Sequence, residues 1–306
     1  PADVNGDGVV SPGETFRGRN QSRLDRETRL FSIGARGDIN ESWSFDTSYT
    51  YSSEKRSTTF YDTVVSRLEN ALNGGINPST GASLFAQDKS LLTFRSYQDV
   101  LSAFQRQLES YIGVVPVLDT ITAQSYADLT PTPFLSALVD GRIGYGKDVS
   151  QGGGRYNNQV CLGYGLANTA NSLAALKRLL FDEKSLGAAE LKAALDTNFS
   201  GPRGEMIRQL LLNRAPKFGN DEEFVDKTAR EVANLFAESI QRYTPCRGGV
   251  YGPTTQTLTA NVPQGLVVGA TPDGRRAGEP LADNNSPTAG TDLNGPTAAM
   301  NSVARL

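Results

Sequence analysis

One stretch of this sequence has residue types at a spacing that could do chemistry by itself. It is Asp3-Val-Asn-Gly-Asp-Gly-Val-Val-Ser-Pro-Gly-Glu14. Asp3, Asn5 and Asp7 are spaced as the first three oxygen ligands of a calcium loop. Gly8 permits the sharp turn, Val9 offers its carbonyl, Ser11 stands at the water-mediated position and Glu14 supplies a bidentate carboxylate. The pattern points to Ca2+ at 3–14. No helical pattern precedes the loop, and Pro12-Gly13 oppose an exiting helix, so a plain acidic surface loop stays open as the alternative. Elsewhere the chemistry is limited by what is missing. The chain has 0 histidines and 2 cysteines. That removes Ser-His and Cys-His nucleophile pairs and every histidine-ligated metal site. Cys161 and Cys246 lie far apart and read as small buried residues rather than a disulfide framework or zinc site. Gly152-Gly-Gly154 has no strand before it and no Lys-Ser/Thr after it, which argues against a phosphate loop.

The elements that must position such residues fall into two grammars. The net charge of −3 gives no pull toward nucleic acid. No apolar run reaches the ~18 residues of a membrane-spanning helix. Residues 1–64 are polar and strand-like. Phe31, Ile33, Ala35 and Ile39 alternate with Ser32, Gly34, Arg36 and Asp38. After Asn40-Glu41-Ser42, Trp43, Phe45, Thr47, Tyr49 and Tyr51 share one face, and Ser44, Asp46, Ser48, Thr50 and Ser52 share the other. This is an antiparallel β-hairpin with one aromatic and one polar face. It resembles a hairpin of a TonB-dependent outer-membrane receptor, with a soluble hairpin as the alternative. Two strands cannot close a barrel. Residues 65–90 read as a junction, with turn residues clustered in Asn73–Gly81.

From 91 to 306 the pattern is helical. Ser96 caps a helix carrying Tyr97, Val100, Leu101, Phe104, Leu108 and Tyr111, which Pro116 ends or kinks. A second helix is signalled by Leu166, Ala170, Leu173, Leu176, Leu179 and Leu180, and a third by Met206, Leu210 and Leu211. The longest is expected to start at Asn220, with Glu223 completing a capping box, and carries Phe224, Thr228, Val232, Leu235, Phe236 and Ile240 before Pro245. The stripes read as core faces. Leu258–Val262 reads as a short buried strand. Between these elements lie Asp148–Asn157, Arg247-Gly-Gly249 and Gly269–Asp283. The last of these can be neither helix nor strand, given Pro272, Gly274, Gly278 and Pro280. Long ordered loops of this kind carry function or tie a large structure together.

Six ordered motifs resemble one family. They are Pro133-Phe-Leu-Ser-Ala137, Gly146-Lys-Asp-Val-Ser150, Gly165-Leu-Ala-Asn-Thr-Ala-Asn-Ser-Leu-Ala174, Leu212-Asn-Arg-Ala-Pro-Lys-Phe-Gly-Asn-Asp221, Thr271-Pro-Asp-Gly-Arg-Arg-Ala-Gly-Glu-Pro-Leu-Ala-Asp283 and Gly295-Pro-Thr-Ala298. Together, over about 68–306, they resemble the pyruvate formate-lyase-like domain of glycyl radical enzymes. The Glu-Pro-Leu-Ala-Asp run points to the dehydratase and lyase branch. The resemblance implies an α/β fold, a helix-rich part of a ten-stranded barrel preceded here by the hairpin. It implies a glycyl radical installed by an S-adenosylmethionine activase that carries an iron–sulfur cluster. It also implies a small polar substrate, thiyl-radical hydrogen abstraction, a homodimer and an anaerobic, cytoplasmic setting; an outer-membrane location follows only if the N-terminal resemblance governs. Glycine and cysteine loop tips must meet inside a dry barrel that shields the radical.

The sequence departs from the family where chemistry is carried. The Cys-Val-Glu loop belongs upstream of Ile76–Gly81, where the hairpin stands, and the radical glycine belongs beyond Asn301–Leu306. Neither Cys161 nor Cys246 matches the catalytic motif. The chain is therefore expected to be a fragment, or a chimera with the receptor-like piece, and inactive as given, with no catalytic residue assigned. On the strand that the resemblance turns inward, Thr257, Thr259 and Asn261 are the substrate-side candidates. Asp273, Arg275 and Arg276 are expected to hold their loop through ion pairs and carbonyl bonds.

Overall fold

The computed structural model describes residues 64–78, 81–83, 85–139, 142–257 and 259–306. The calcium-loop segment 3–14 and the hairpin over 31–52 lie outside the described residues. The helices are α1 (Val64–Leu72), α2 (Tyr97–Ile112), α3 (Val115–Leu129), α4 (Pro133–Leu138) and α5 (Arg142–Tyr145). Strand β1 (Gln159–Leu162) leads into α6 (Leu166–Ala175), which continues as a π-helical segment, Leu176–Asp182. Then come α7 (Ala188–Asp196), α8 (Gly201–Arg214), α9 (Glu223–Gln241), strand β2 (Tyr251–Thr254), α10 (Asn261–Gly265) and α11 (Gly295–Ala304). The described part is thus helix-rich α/β with one two-stranded parallel sheet. The chain divides into two compact units, one formed by 61–116 with 158–306, the other by 1–60 with 117–157.

In the larger unit, local chemistry explains most element boundaries. Ser96 and Asp99 form a reciprocal capping box at the start of α2. Its buried face is Val100, Ala103, Phe104, Gln107, Leu108 and Ile112. α2 ends before Gly113, and Pro116 stands in the first turn of α3, where its missing N–H has no intrahelical partner to lose. α1 occupies the stretch that reads in sequence as a junction, and all nine of its residues are buried.

The packing centre is α6 against α9. Ala167, Ala170 and Ala174 let the two helices approach closely, and Phe218, Val225, Ala229 and Ala282 fill the seam, with Val303 and Leu306 of the C-terminal segment against it. Small side chains on one helix permit short interaxial distances.

Two expectations fail here. The long helix does not begin with an Asn220 cap; its N-cap is Glu222, without a side-chain cap bond. The Asn220 amide is committed elsewhere, donating to Lys217 O and Thr291 O and accepting from the Leu293 and Asn294 N–H groups. It joins two loops instead of capping a helix. Nor do residues 259–262, the described part of the Leu258–Val262 stretch, form a strand. Thr259 has φ 69°, the Ala260 N–H donates to Thr257 O, and α10 begins at Asn261. Pro263 falls in that first helical turn and could not have donated to a strand ladder.

In the smaller unit, Asp148 organises the loop that precedes Gly152. Its carboxylate accepts from Thr132 N and Ser136 Oγ on one oxygen and from Ser150 N and Oγ on the other. The two serine hydroxyls and the backbone N–H groups hold this carboxyl well below the usual range. Gly152 has φ 74°, the left-handed conformation that closes this turn. The glycine run thus ends a short helical turn.

Candidate functional site

The Gly269–Asp283 loop is where sequence and structure converge on one feature. It lacks regular structure, yet Thr271, Asp273, Arg275, Leu281 and Ala282 are all buried. Buried backbone without a ladder must find partners among side chains, and four buried residues supply them.

The first is Arg275, 4% exposed. One terminal nitrogen donates to the carbonyls of Gly265, Arg276 and Glu279, the other to those of Val268 and Gly269. A planar fork with five fixed donors suits this gathering of carbonyls in a way a lysine would not. Burial pulls its pKa down, and the charges of Asp273, Glu69 and Glu279 push it back up. The second is Asn168 on α6, fully buried. Its amide donates to Asp273 Oδ2 at 2.8 Å, and its carbonyl accepts the Ala282 N–H at 2.8 Å. One side chain therefore clamps both ends of the loop to one helix. The third is Lys217, 6% exposed, whose ammonium bridges Leu211 O and Asp273 O, each at 2.8 Å. Burial pushes its pKa down to about 8, and Asp273 opposes the shift. The fourth is Glu69 on α1, which accepts the Gly269 N–H at 2.9 Å. A Cβ at Gly269 would collide with that carboxylate, so a larger residue there would push Glu69 off the N–H it accepts.

Asp273 is the hub. It accepts from Thr271 Oγ1 and the Arg275 N–H on one oxygen and from Asn168 on the other. Arg276 pairs with Glu205 at 2.5 Å. The sequence-based roles of Asp273, Arg275 and Arg276 as loop-holding groups are observed directly.

Thr257 is 1% exposed. Its N–H donates to Asn284 Oδ1, and its hydroxyl donates to Asp283 Oδ1. Asn261 donates to Leu281 O and accepts the Leu281 N–H at its own carbonyl. Both therefore face the far end of the same loop. Thr259 is exposed on the turn between them. The remaining predicted ligands, Asp3, Asn5, Asp7, Val9, Ser11 and Glu14, lie outside the described residues. Among the described residues no cluster of three metal-ligating side chains occurs.

Of the two thiols, Cys161 is buried on β1 and Cys246 is exposed. Burial pushes the Cys161 thiol up to about 12, so it stays protonated. A cleft of about 250 Å³ lies between α1, α7 and the loop, walled by Leu68, Glu69, Asn73, Asn198 and Thr271. Sequence reasoning missed Glu69, Asn168 and Lys217. The available signal was the run Asn168-Thr-Ala-Asn171 inside an Ala/Leu helix, which ordinary amphipathic reading assigns to a solvent face.

A buried catalogue of polar clamps around an irregular loop, set on a helical α/β framework, describes a domain built to fix a loop in place. The pyruvate formate lyase-like family model matches residues 51–265, and this chain belongs to that family of glycyl radical enzymes. The probable dehydratase YbiW of Escherichia coli strain K12 is 38% identical over 248 residues, 77% of this chain and 30% of YbiW. The glycerol-bound B12-independent glycerol dehydratase from Clostridium butyricum superimposes with a TM-score of 0.75 at 38% identity, covering 80% of this chain and 30% of that one. A glycyl radical enzyme from Archaeoglobus fulgidus gives 0.74 at 32% identity, covering 80% and 30%. The chain thus spans about a third of the length of these relatives. No helix among the described residues is long and apolar enough to cross a membrane.

Proposed function

We propose that this chain is the loop-bearing part of a glycyl radical lyase or dehydratase that acts on a small polar, hydroxylated substrate. The observation that carries this reading is the 38% identity to a probable dehydratase and to a glycerol dehydratase, over more than three quarters of the chain. A glycyl radical relayed to a cysteine supplies hydrogen-atom abstraction in such enzymes. The residues here fix the Gly269–Asp283 loop and keep water from its backbone; of the three substrate-side candidates Thr259 alone is exposed, while Thr257 and Asn261 hold the far end of that loop. In this reading β1 and β2 are strands of a larger barrel, and an S-adenosylmethionine activase is the radical-installing partner.

The chain by itself is proposed to be inactive. Its two thiols are Cys161, buried on β1, and the exposed Cys246, neither in a Cys-Val-Glu motif. Anaerobic treatment with a cognate activase, followed by electron paramagnetic resonance, tests this; no glycyl doublet is expected. A doublet with turnover of glycerol or 1,2-propanediol would overturn it. A Ca2+ site at 3–14 is a separate proposal supported by the spacing of Asp3, Asn5, Asp7, Val9, Ser11 and Glu14. Calorimetric titration with Ca2+ should give binding that Glu14→Gln removes; heats unchanged by that substitution would refute the site.

A further inference from the structure

The helix that begins as α6 changes its turn partway. The Leu176 N–H donates to Ser172 O, four residues back, as in an α-helix. By Glu183 the N–H reaches Arg178 O, five residues back, at 2.8 Å. One extra residue is taken up between them, and Leu176–Asp182 is π-helical. A π segment of seven residues is long, because such turns occur mostly singly inside α-helices. A segment in so rare a register needs interactions that favour it over the α-helix.

Its charged side chains supply them. Lys177 Nζ lies 2.6 Å from Asp182 Oδ2, and Arg178 Nε donates to Glu183 Oε1 at 2.9 Å. Both pairs join residues five apart. On an α-helix such residues stand about 140° apart around the axis and do not meet. A π turn brings them onto one face. The α register would leave one opposite-charge pair at its own spacing, Arg178 with Asp182. The π register also sets the Lys177 ammonium against the rings of Tyr97 on α2, at 5.9 Å, and Phe224 on α9, at 5.5 Å. Phe181 meets Tyr97 edge-on. Glu183 takes a second cation, Arg214 at the end of α8, at 3.0 Å. α8 in turn grips the Gly269–Asp283 loop, where Arg208 donates to Gly274 O at 3.0 Å and Glu205 pairs with Arg276. A rival support is the Leu179 carbonyl, which accepts the Ser185 and Leu186 N–H groups at 2.9 and 3.2 Å. In an α register that carbonyl would take the Glu183 N–H instead.

We infer that Leu176–Asp182 is a two-register switch in the framework of the loop. The Lys177–Asp182 and Arg178–Glu183 pairs hold the π register. When they are lost the segment returns to α-helix, Lys177 leaves the slot between Tyr97 and Phe224, and Glu183 turns away from Arg214. The four charged side chains are partly open to water, with relative exposures between 27% and 52%. Each pair is therefore weak and screened by salt, so the choice of register responds to ionic strength.

The test reads couplings across hydrogen bonds by nuclear magnetic resonance of the isotope-labelled full chain, because they identify the carbonyl to which each amide donates. In the unaltered chain at low salt the N–H at position 183 should couple to the Arg178 carbonyl. Asp182→Asn combined with Glu183→Gln should move that coupling to the Leu179 carbonyl. Lys177→Gln combined with Arg178→Gln removes the same pairs from the basic side and should move it likewise. In the acid-side variant, amine labelling of Lys177 relative to the exposed Lys227 should speed up roughly fivefold, as loss of two exposed pairs of ordinary strength gives. Protected α9 amides show that a variant is folded. If neither is, the unaltered chain in about 1 M salt, where the screening length falls to about 3 Å, takes its place. An Arg178 coupling kept by a folded variant, or kept at high salt where that arm stands in, would overturn the switch: the bonds to the Leu179 carbonyl would then hold the register. Lys177 labelling that stays unchanged would overturn it too, as would a Leu179 coupling in the unaltered chain at low salt.

Discussion

Asn168→Ala tests whether the loop is held by buried side chains or only rests against them. Asn168 is fully buried, and its two amide atoms serve two different loop positions at 2.8 Å each. Truncation deprives Asp273 Oδ2 and the Ala282 N–H of these partners, inside a region closed to solvent. A buried polar group left unsatisfied costs about 1–3 kcal/mol, more when charged. Two such groups, one a carboxylate oxygen, bring the expected loss to roughly 3–5 kcal/mol, a large part of the ~5–15 kcal/mol typical of a whole domain. Urea unfolding should move the midpoint accordingly. Amide exchange should rise first at Ala282 and Arg275, before the α6 and α9 helices open. Asn168→Asp separates the two bonds: it keeps an acceptor for Ala282 but sets a carboxylate against Asp273, so it should be no better than alanine. A loss below about 1 kcal/mol for Asn168→Ala would mean that water or a shifted neighbour satisfies both groups, and the clamp reading would fail.

Lys217 gives a pH signature. Its folded pKa is lowered to about 8 from the ordinary 10.5, so between those values the unfolded chain binds more protons than the folded one. Stability from this group therefore rises as pH climbs from about 8 to 10.5, and Lys217→Met should abolish that rise in urea midpoints taken across the window. Arg305 pairs with the buried Asp226 at 2.6 Å and with Asp221 at 2.5 Å. Arg305→Ala leaves Asp226 buried without its cation and should lower the thermal midpoint measurably, though by less than the loss of a fully buried pair because Arg305 is partly exposed. Adding Asp226→Asn should recover part of it in thermal melts, and no recovery would argue against a charge effect. Thiol labelling of the native chain should modify Cys246 and spare Cys161 until denaturant is added; equal rates at both would contradict the burial of β1.

The capping residues show what local sequence can and cannot specify. Ser96 was legible because its cap partner Asp99 is three residues away, and the box closes with no help from the rest of the molecule. Asn220 has the same local credentials before Glu223, yet its amide bonds the loop at 291–294, some seventy residues on. Tertiary partners outbid the local one because a buried loop must satisfy its backbone. The strand reading of Leu258–Val262 failed for a similar reason: β-propensity describes a fit to a pleated neighbour, and here the neighbour is a loop.

The sequence by itself determined the family, through ordered Gly/Pro-rich motifs whose turn chemistry is local. It also determined the helical stripes, through the period of their apolar residues, and the loop-holding character of Asp273, Arg275 and Arg276. Only the tertiary structure decided which polar residues hold that loop. Asn168 looks like the wet face of a helix until the loop closes over it. Glu69 lies two hundred positions from Gly269, whose N–H it accepts.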